Sequence, residues 1–259
     1  MIYVMSDIHG CLDALKKKMN YVDLSRDNLL VFLGDYIDYG AKSGQTLRYI
    51  YSLQKKHGKE KVIALKGNHE AMLLEFLDEF KGSVSAVQEG YALDSWLRTD
   101  SDAGLNTFKT LIPEKHFEQF SEHAKKASFT EMCMEAANLI QKDSGELISW
   151  IRKMLLYYET EKQIFVHAGV DEEAEEDWKW GTSDQVFLWK FPPVTGKFVK
   201  TIVAGHVGTG LPELMNDKDY HDIYFDGQSH YYIDGSVYKR GGVLNLLIYD
   251  PGSDRYSCA

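Results

Sequence analysis

Short hydrophobic runs, each long enough for one buried strand, recur along this chain and are separated by segments with helical spacing. After the first run, apolar residues with helical spacing stand at Leu12, Leu15 and Met19, and after the second run they stand at Leu47, Ile50 and Leu53. Strands that alternate with helices predict βαβ units and a parallel sheet. The five runs predicted to be strands are residues 2–5, 29–33, 62–65, 164–166 and 201–204.

The segment after the third run also has helical spacing. Phe76 and Leu77 follow Leu73 by three and four positions, so all three side chains lie on one face of a helix. A helix is therefore predicted to begin just past residues 68–70. Its N-terminus faces whatever ligand the preceding loop binds.

The stretch from residue 80 to residue 158 has no strand pattern and consists of polar residues with scattered aromatic and helical patches. It predicts a mainly helical cap or insertion in which Trp96 and Trp150 are packing residues. Residues 231–235 and 243–249 then predict strands between glycine-rich turns, and their alternation indicates a second, more antiparallel sheet. The predicted fold is an α/β sandwich formed by a single domain over residues 1–259.

Composition narrows the classes of protein to consider. The chain has 259 residues, 44% of them hydrophobic, which is enough for a full core. Its formal net charge of −10 disfavours binding along a nucleic-acid backbone, which requires clustered Lys and Arg. Three scattered cysteines without a C-x-x-C pair suit a reducing compartment. No leader pattern and no stretch of ~20 apolar residues stands out, so the expected location is the cytoplasm and no membrane partner is expected.

Each of the five predicted strands ends in a polar cluster. In open α/β sheets, ligands bind beyond the carboxyl ends of the strands, so these five loops should meet at one edge. A single Gly-Asp pair or a lone His is commonly a turn or a structural residue, and it is the joint pattern that indicates a site. The clusters are SDIHG at 6–10, GDYID at 34–38, GNHE at 67–70, HAG at 167–169 and GH at 205–206.

These clusters supply side chains that suit two divalent metal ions. Carboxylates, an amide oxygen and imidazoles without cysteine favour Mn²⁺, with Fe and Zn²⁺ as alternatives, over Ca²⁺. Asp7 and His9 lie on the same face of an extended strand end and can bind one metal. The two oxygens of Asp35 can bridge that metal to a second one. The remaining predicted ligands of the second metal are Asn68, His167 and His206.

A pair of metals of this kind suits the hydrolysis of phosphate esters. The ions polarise the phosphoryl oxygens and acidify a bridging water, which then attacks phosphorus in line with the leaving group. The departing alkoxide needs a proton, and His69 is the predicted general acid because it is expected to point away from the metal bound by Asn68. Asp38 is predicted to orient that imidazole and favour its protonated form, and its alternative role is a turn or helix cap.

In this order, the clusters resemble the motifs of the calcineurin-like metallophosphoesterases. The similarity is greatest to the phosphoprotein phosphatase branch, which includes bacterial and phage serine/threonine phosphatases and symmetrical dinucleoside-tetraphosphate hydrolases. The matching motifs extend from Asp7 to His206. The resemblance implies a four-layer α/β/β/α sandwich, the same two sets of metal ligands, and His69 paired with Asp38.

Tyr39 is the main departure from the family pattern, which has an arginine here that clamps the substrate phosphate. A tyrosine offers one neutral hydrogen bond and lacks the charge and two-pronged geometry of a guanidinium. Binding of phosphomonoesters should therefore be weaker unless another cation takes over. The candidate substitutes are Arg98, Lys190 and Arg240.

Three functions remain open at this point. The pairing of His69 with Asp38 favours a phosphomonoesterase of the serine/threonine protein phosphatase type. The missing arginine favours a phosphodiesterase or dinucleoside polyphosphate hydrolase, since a diester carries less charge and Tyr39 could stack on a base. A metal-binding protein that has kept only the fold would have lost ligands, and none is lost. The expected substrate is a phosphoprotein or a small phosphate ester, and long nucleic acid is not expected as a partner.

Overall fold

The computed structural model describes residues 1–80, 96–98 and 103–259, without the side chain of Arg98. Two five-stranded sheets, flanked by helices, account for most of the described chain. The strands are β1 Ile2–Met5, β2 Leu29–Phe32, β3 Val62–Ala64, β4 Tyr157–Glu159, β5 Gln163–Val166, β6 Thr201–Ala204, β7 Tyr224–Phe225, β8 His230–Tyr232, β9 Leu247–Asp250 and β10 Arg255–Cys258. The helices are α1 Leu12–Met19, α2 Ser43–His57, α3 Asn68–Glu79, α4 Ala103–Leu111, α5 Glu114–Ala124, α6 Phe129–Arg152, α7 Trp178–Gly181 and α8 Asp184–Trp189.

The first sheet has the strand order β10-β9-β1-β2-β3. Strands β1, β2 and β3 are parallel and are connected through α1 and α2, as the alternating pattern predicts. The β9–β10 hairpin pairs with β1 in antiparallel orientation, with Tyr3 opposite Ile248. The prediction that the segment 243–249 belongs to the second sheet is therefore wrong. Its alternation of side chains identifies a strand but carries no information about which neighbour that strand joins.

The second sheet has the strand order β4-β5-β6-β8-β7. Its three central strands β5, β6 and β8 are parallel, and only the edge strands β4 and β7 run antiparallel to their neighbours. The sheet is therefore mixed rather than mainly antiparallel. Strand β4 begins at Tyr157, inside the stretch predicted to be helical, and all three of its residues are only half-buried. An edge strand of this kind leaves a weak hydrophobic signal in the sequence.

Hydrophobic packing orders these elements into four layers, which confirms the predicted α/β/β/α sandwich. Side chains such as Val31 and Leu33 from the first sheet pack against Phe165 and Val203 from the second. Helices α1 to α6 cover the outer face of the first sheet, and α7 and α8 lie on the second. Where it is described, the segment 103–152 forms α4, α5 and α6. Helices α4 and α6 pack on α2, α6 also packs on α3, and α5 packs on α4 and α6. No helix in the described chain is both long and apolar enough to cross a membrane.

Candidate active site

The polar clusters that follow β1, β2, β3, β5 and β6 come together where the two sheets meet. The sequence predicts that these loops share the edge of one sheet, whereas three of the strands lie in the first sheet and two in the second. Contacts between the clusters cross this seam. The Nε2 atom of His167 lies 2.7 Å from Oδ1 of Asn68, and the backbone N–H of His206 donates to both carboxylate oxygens of Asp7, at 3.2 and 3.0 Å.

Backbone hydrogen bonds hold the first two loops against each other beyond the ends of their strands. The N–H groups of Asp7 and His9 donate to the carbonyls of Gly34 and Asp35, at 3.1 and 2.9 Å. Several residues in the clusters adopt a positive φ, which is uncommon for side chains other than glycine. Such strain persists only where surrounding contacts enforce it, and it concentrates at functional sites. The cluster residues with a positive φ are Asp7, His9, Asp35, Asp38 and His206, and the adjoining Tyr39 shares this conformation.

Two glycines allow the clusters to approach this closely. A Cβ atom on Gly67 would lie 2.1 Å from Oδ1 of Asp35, and one on Gly205 would lie 2.1 Å from Oδ2 of Asp7. Any side chain at these positions would push a carboxylate out of place. The glycines of the GNHE and GH clusters therefore have a steric role that is specific to this site.

Glu70 is a fully buried carboxylate that fixes the loops after β2 and β3. Its Oε2 atom accepts the backbone N–H groups of Asp35 and Gly67 at 2.9 and 3.0 Å, and its Oε1 atom accepts that of Tyr36 at 2.8 Å. Through its bond from the N–H of Gly67, Glu70 also caps the N-terminus of α3, which begins at Asn68 and so includes residues 68–70. The GNHE cluster thus starts the helix and positions the carboxylate of the preceding loop.

The predicted metal ligands form two groups that share Asp35. Its Oδ2 atom lies 3.6 Å from Nε2 of His9 and 3.5 Å from Nε2 of His167. On the side of His167, the Oδ1 atom of Asn68 lies 3.1 Å from Nδ1 of His206. The Nδ1 atom of His9 donates to the carbonyl of Ile37 at 2.8 Å, which leaves Nε2 directed at the centre. One carboxylate flanked by two sets of donors is the arrangement that a bridging ligand requires.

His69 also lies beside Asp35, next to His9. Its Nε2 atom is 3.9 Å from Oδ2 of Asp35, and it forms a compact group with His9 and Asp35 that could hold a cation. This group lies on the His9 side of Asp35, whereas Asn68 contacts His167 and His206 on the other side. That His69 does not share the metal bound by Asn68 stays a prediction.

Burial determines the electrostatics of the cluster. It raises the pKa of Asp7, which the nearby Asp234 and Asp35 raise further. Burial likewise raises the pKa of Asp35 to about 8. For an imidazole, burial disfavours the charged form and therefore lowers the pKa. Burial lowers the pKa of His9 and lowers the pKa of His206 to about 4, and the charge of His69 lowers both further. Neutral imidazoles are the form that binds metals, and crowded carboxylates are relieved by a cation. The donor set therefore fits divalent metal ions.

Asp38 and His69 form a hydrogen-bonded pair beside the metal ligands. The Nδ1 atom of His69 lies 2.7 Å from Oδ2 of Asp38. Although burial alone would lower the pKa of His69, Asp35 and Asp38 outweigh it and raise that pKa to about 9. Asp38 also accepts the indole N–H of Trp96 at 3.0 Å and the hydroxyl of Thr107 at 2.6 Å. Trp96 is therefore more than a packing residue, and no sequence motif marks it or Thr107 as part of the site.

Tyr39 stacks on Tyr238, another site residue that the motifs do not reveal. Their ring centroids are 4.2 Å apart and the ring planes differ by 9°. Both rings contact the edge of His9, at centroid distances of 4.9 and 5.0 Å, and Tyr39 also contacts His69 at 5.3 Å. Burial raises the pKa of Tyr238, as does the neighbouring Tyr39, so its phenol remains neutral. A tyrosine pair thus occupies the position where the motif pattern has an arginine.

The structure gives no support to the three cations considered as substitutes for that arginine. Lys190 forms an ion pair with Glu172 and also donates to the carbonyl of Val170. Its charge is thus already compensated. Arg240 is exposed and forms no ion pair within the described chain. The side chain of Arg98 lies outside the described residues.

Comparison with known proteins places this arrangement in a family. A family model described as calcineurin-like phosphoesterase matches residues 1–230. Serine/threonine-protein phosphatase 2 of Salmonella typhimurium is 29% identical over 161 residues, which cover 60% of this chain and 69% of that protein. A symmetrical bis(5'-nucleosyl)-tetraphosphatase of Legionella pneumophila is 35% identical over 109 residues, which make up 38% of each protein.

Solved structures agree at the level of the fold. A protein serine/threonine phosphatase from Saccharomyces cerevisiae aligns over 99% of this chain and 78% of its own, with a TM-score of 0.58 and 14% identity. At this identity the similarity concerns the fold alone. The two named relatives differ in substrate, so the comparisons identify a class of reaction and leave the substrate open.

Changing Glu70 tests whether this buried carboxylate holds the metal ligands in place. The Glu70→Gln variant presents an amide N–H₂ to backbone donors, which should lower the free energy of unfolding by about 1–3 kcal/mol. Loss of a supporting hydrogen bond should also weaken Mn²⁺ binding by roughly 10–100-fold. Urea unfolding and calorimetric titration with Mn²⁺ measure the two effects. Glu75→Gln, on the exposed face of α3, is the matched control, and equal Mn²⁺ affinity in both variants would contradict the role of Glu70.

Proposed function

This chain belongs to the calcineurin-like phosphoesterase family, and we propose that it is a two-metal phosphomonoesterase of the serine/threonine protein phosphatase type. Its substrate is a phosphoprotein or a small phosphate ester. The observation that carries this proposal is the pair formed by His69 and Asp38, 2.7 Å apart, next to donors grouped around Asp35. The Salmonella phosphatase among the relatives supports the same activity.

Two divalent ions fit this site, and Mn²⁺ is the proposed metal, with Fe and Zn²⁺ as alternatives. When bound, the ions supply the nucleophile from water and neutralise the charge on the phosphoryl group. Asp35 is the proposed ligand of both ions. The proposed ligands of the first ion are also Asp7 and His9, and those of the second are also Asn68, His167 and His206.

The chain's own residues then handle the proton and the orientation of the substrate. His69 keeps its proton because Asp35 and Asp38 raise its pKa, and its Nε2 atom faces the centre, where it can protonate the leaving oxygen. Asp38 is fixed by hydrogen bonds from Trp96 and Thr107, so the imidazole has a defined orientation. The buried surroundings exclude water and strengthen these interactions. His69 is thus proposed as the general acid and Asp38 as the residue that positions it.

A second candidate function is hydrolysis of phosphodiesters or dinucleoside polyphosphates. The stacked pair of Tyr39 and Tyr238 favours it, because a diester carries less charge than a monoester and depends less on a guanidinium. The Legionella tetraphosphatase among the relatives supports this alternative. For either function, the scattered cysteines support a cytoplasmic location, which stays a prediction.

The reaction class is tested by assaying metal-free protein before and after addition of Mn²⁺. The substrates are p-nitrophenyl phosphate, bis-p-nitrophenyl phosphate, phosphopeptides and diadenosine tetraphosphate. Asp35→Asn should reduce Mn²⁺-dependent turnover at least a hundredfold, because the bridging carboxylate is lost. Asp27→Asn, which alters an exposed carboxylate, should leave turnover unchanged. If wild type is no faster than Asp35→Asn on any substrate, the proposed function is wrong.

His69 is tested through the leaving group. His69→Asn should reduce kcat for phenyl phosphate by about 10²–10⁴-fold, because phenolate leaves poorly without a proton. The reduction should be far smaller for p-nitrophenyl phosphate, whose leaving group needs little protonation. His116→Asn removes a His–Asp contact of 2.5 Å on α5 and is the matched control. Equal slowing of both substrates, with Mn²⁺ affinity retained, would count against His69 as the acid.

Tyr39→Arg tests whether the missing guanidinium limits binding of phosphomonoesters. A restored charge-assisted bond should raise kcat/KM for p-nitrophenyl phosphate roughly tenfold, with less effect on the bis-p-nitrophenyl diester. Tyr39→Phe keeps the ring and removes the hydroxyl, and Tyr21→Arg adds the same charge at an exposed position. A Tyr39→Arg variant with wild-type kcat/KM for the monoester would show that the guanidinium is not what the site lacks.

A further inference from the structure

The carboxylate that positions His69 is held in part by the helical insertion. Thr107, on α4, is fully buried, and its hydroxyl donates to Oδ1 of Asp38 at 2.6 Å and accepts the backbone N–H of Asp38 at 2.9 Å. The hydroxyl of Ser43, the first residue of α2, accepts the same N–H at 3.1 Å and lies 3.0 Å from the hydroxyl of Thr107. Because Asp38 is also fully buried, loss of these contacts would leave its polar groups without partners. The position of α4 against α2 therefore determines how Asp38 is held.

Two glycines let the backbone of α4 come this close to its neighbours. A Cβ atom on Gly44, in the first turn of α2, would lie 2.2 Å from the carbonyl oxygen of Thr110. A Cβ atom on Gly104, at the start of α4, would lie 2.2 Å from the carbonyl oxygen of Trp96. A side chain at either position would push α4 away from α2 or from the segment that carries Trp96. Both α4 and that segment donate a hydrogen bond to Asp38, so the close packing is what lets two donors reach one carboxylate.

Helices α2 and α4 also satisfy each other's terminal backbone groups. Lys42, the residue before α2, provides no side-chain cap, and the hydroxyl of Thr110 instead accepts the N–H of Gly44 at 2.8 Å. In return, Arg48 on α2 donates to the carbonyls of Thr110 and Leu111 at the C-terminus of α4, at 3.0 and 3.3 Å. A cation at a helix C-terminus also interacts favourably with the helix dipole. These reciprocal caps hold α4 in one position on α2.

We propose that α4 is a fixed support for the general acid, and that Thr110 and Arg48 position Asp38 through it. The hydroxyl of Thr110 donates to the carbonyl of Thr107 at 2.8 Å, which joins the contact between the two helices to the residue that binds Asp38. The inference rests on the proposed function, in which Asp38 orients His69. It goes beyond that function because it makes a helix of the insertion necessary for delivery of the proton.

The kinetic test uses two substrates that differ in their need for the acid. A misplaced His69 should slow hydrolysis of phenyl phosphate, whose leaving group needs a proton, and should spare p-nitrophenyl phosphate. Thr110→Val and Arg48→Met should each lower kcat for phenyl phosphate about tenfold, and Thr107→Val up to about a hundredfold. The KM for phenyl phosphate and the kcat for p-nitrophenyl phosphate should stay close to wild type. Thr110→Ser and Thr107→Ser keep the hydroxyl and should recover most of the lost rate.

Matched controls separate positioning from a general loss of structure. Thr195→Val and Arg26→Met alter exposed residues of the same types and should leave kcat for both substrates unchanged. Equal slowing of both substrates by Thr110→Val would show a structural role alone and would overturn the inference. An unchanged kcat for phenyl phosphate would overturn it too. In the double variant with Thr107→Val, the effect of Thr110→Val should largely disappear, because both act through the same contact, and losses that simply add would contradict this route.

Nuclear magnetic resonance of the metal-free protein tests the inference without turnover. The proton on Nδ1 of His69 is hydrogen-bonded to Asp38 at 2.7 Å, so it should give a low-field signal, identified by its absence in His69→Asn. Thr110→Val and Arg48→Met should shift or broaden this signal, while the corresponding signal of His116 on α5 stays in place. If wild type hydrolyses no phosphate ester, the proposed function fails separately. A His69 signal that is unchanged in both variants would still contradict the inference.

Discussion

Glu70 is buried between the loops that follow β2 and β3, and its two oxygens accept three backbone N–H groups. Two of those donors, the N–H groups of Asp35 and Tyr36, lie outside regular secondary structure in a segment with a positive φ at Asp35, and the third is the N–H of Gly67 just before α3. Without this carboxylate the donors would be buried and unsatisfied, which is costly in a low-dielectric interior. The distance between Asp35 and Asn68, which the proposed two-metal site requires, is therefore set by a residue that need not contact either ion.

Several buried carboxylates lie close together in the region where the two sheets meet. Burial raises the pKa of Asp7, Asp35 and Asp234, and Asp234 raises the pKa of Asp7 and Asp35 further. In the absence of cations the folded state therefore resists full ionisation of the cluster. Divalent ions would stabilise the ionised carboxylates and so remove this resistance to ionisation. Metal binding would then be coupled to the stability of the region where the two sheets meet. Neutral His9 and His206 add donor atoms without adding positive charge that would repel a metal. Residues that are unfavourable for folding in the absence of metal would in this way be the source of affinity for cations.

The sequence predicts a strand or a site residue where the signal is carried by neighbouring residues along the chain. Buried strands such as β1 and β2 are short apolar runs, and each ends in a polar motif whose position follows directly from the strand. Which sheet β9 joins could not be predicted, because pairing depends on packing between distant segments. Tyr238 and Trp96 were missed for the same reason. Each reaches the site from a segment without a motif, through a ring stack with Tyr39 and a hydrogen bond to Asp38.

Replacement of an arginine by Tyr39 changes where substrate selectivity must arise. A guanidinium would hold the transferred phosphate equally in any ester, so it would add binding energy without discriminating between leaving groups. The tyrosine pair provides no such uniform attraction, and contacts to the remainder of the substrate gain weight in kcat/KM. Near the centre, Nζ of Lys239 lies 5.4 Å from the ring centroid of Tyr238, and the charge of Lys239 also lowers the pKa of the buried Asp234. Selection among phosphate esters in this protein is therefore expected to depend on the leaving group rather than on the phosphate that is removed.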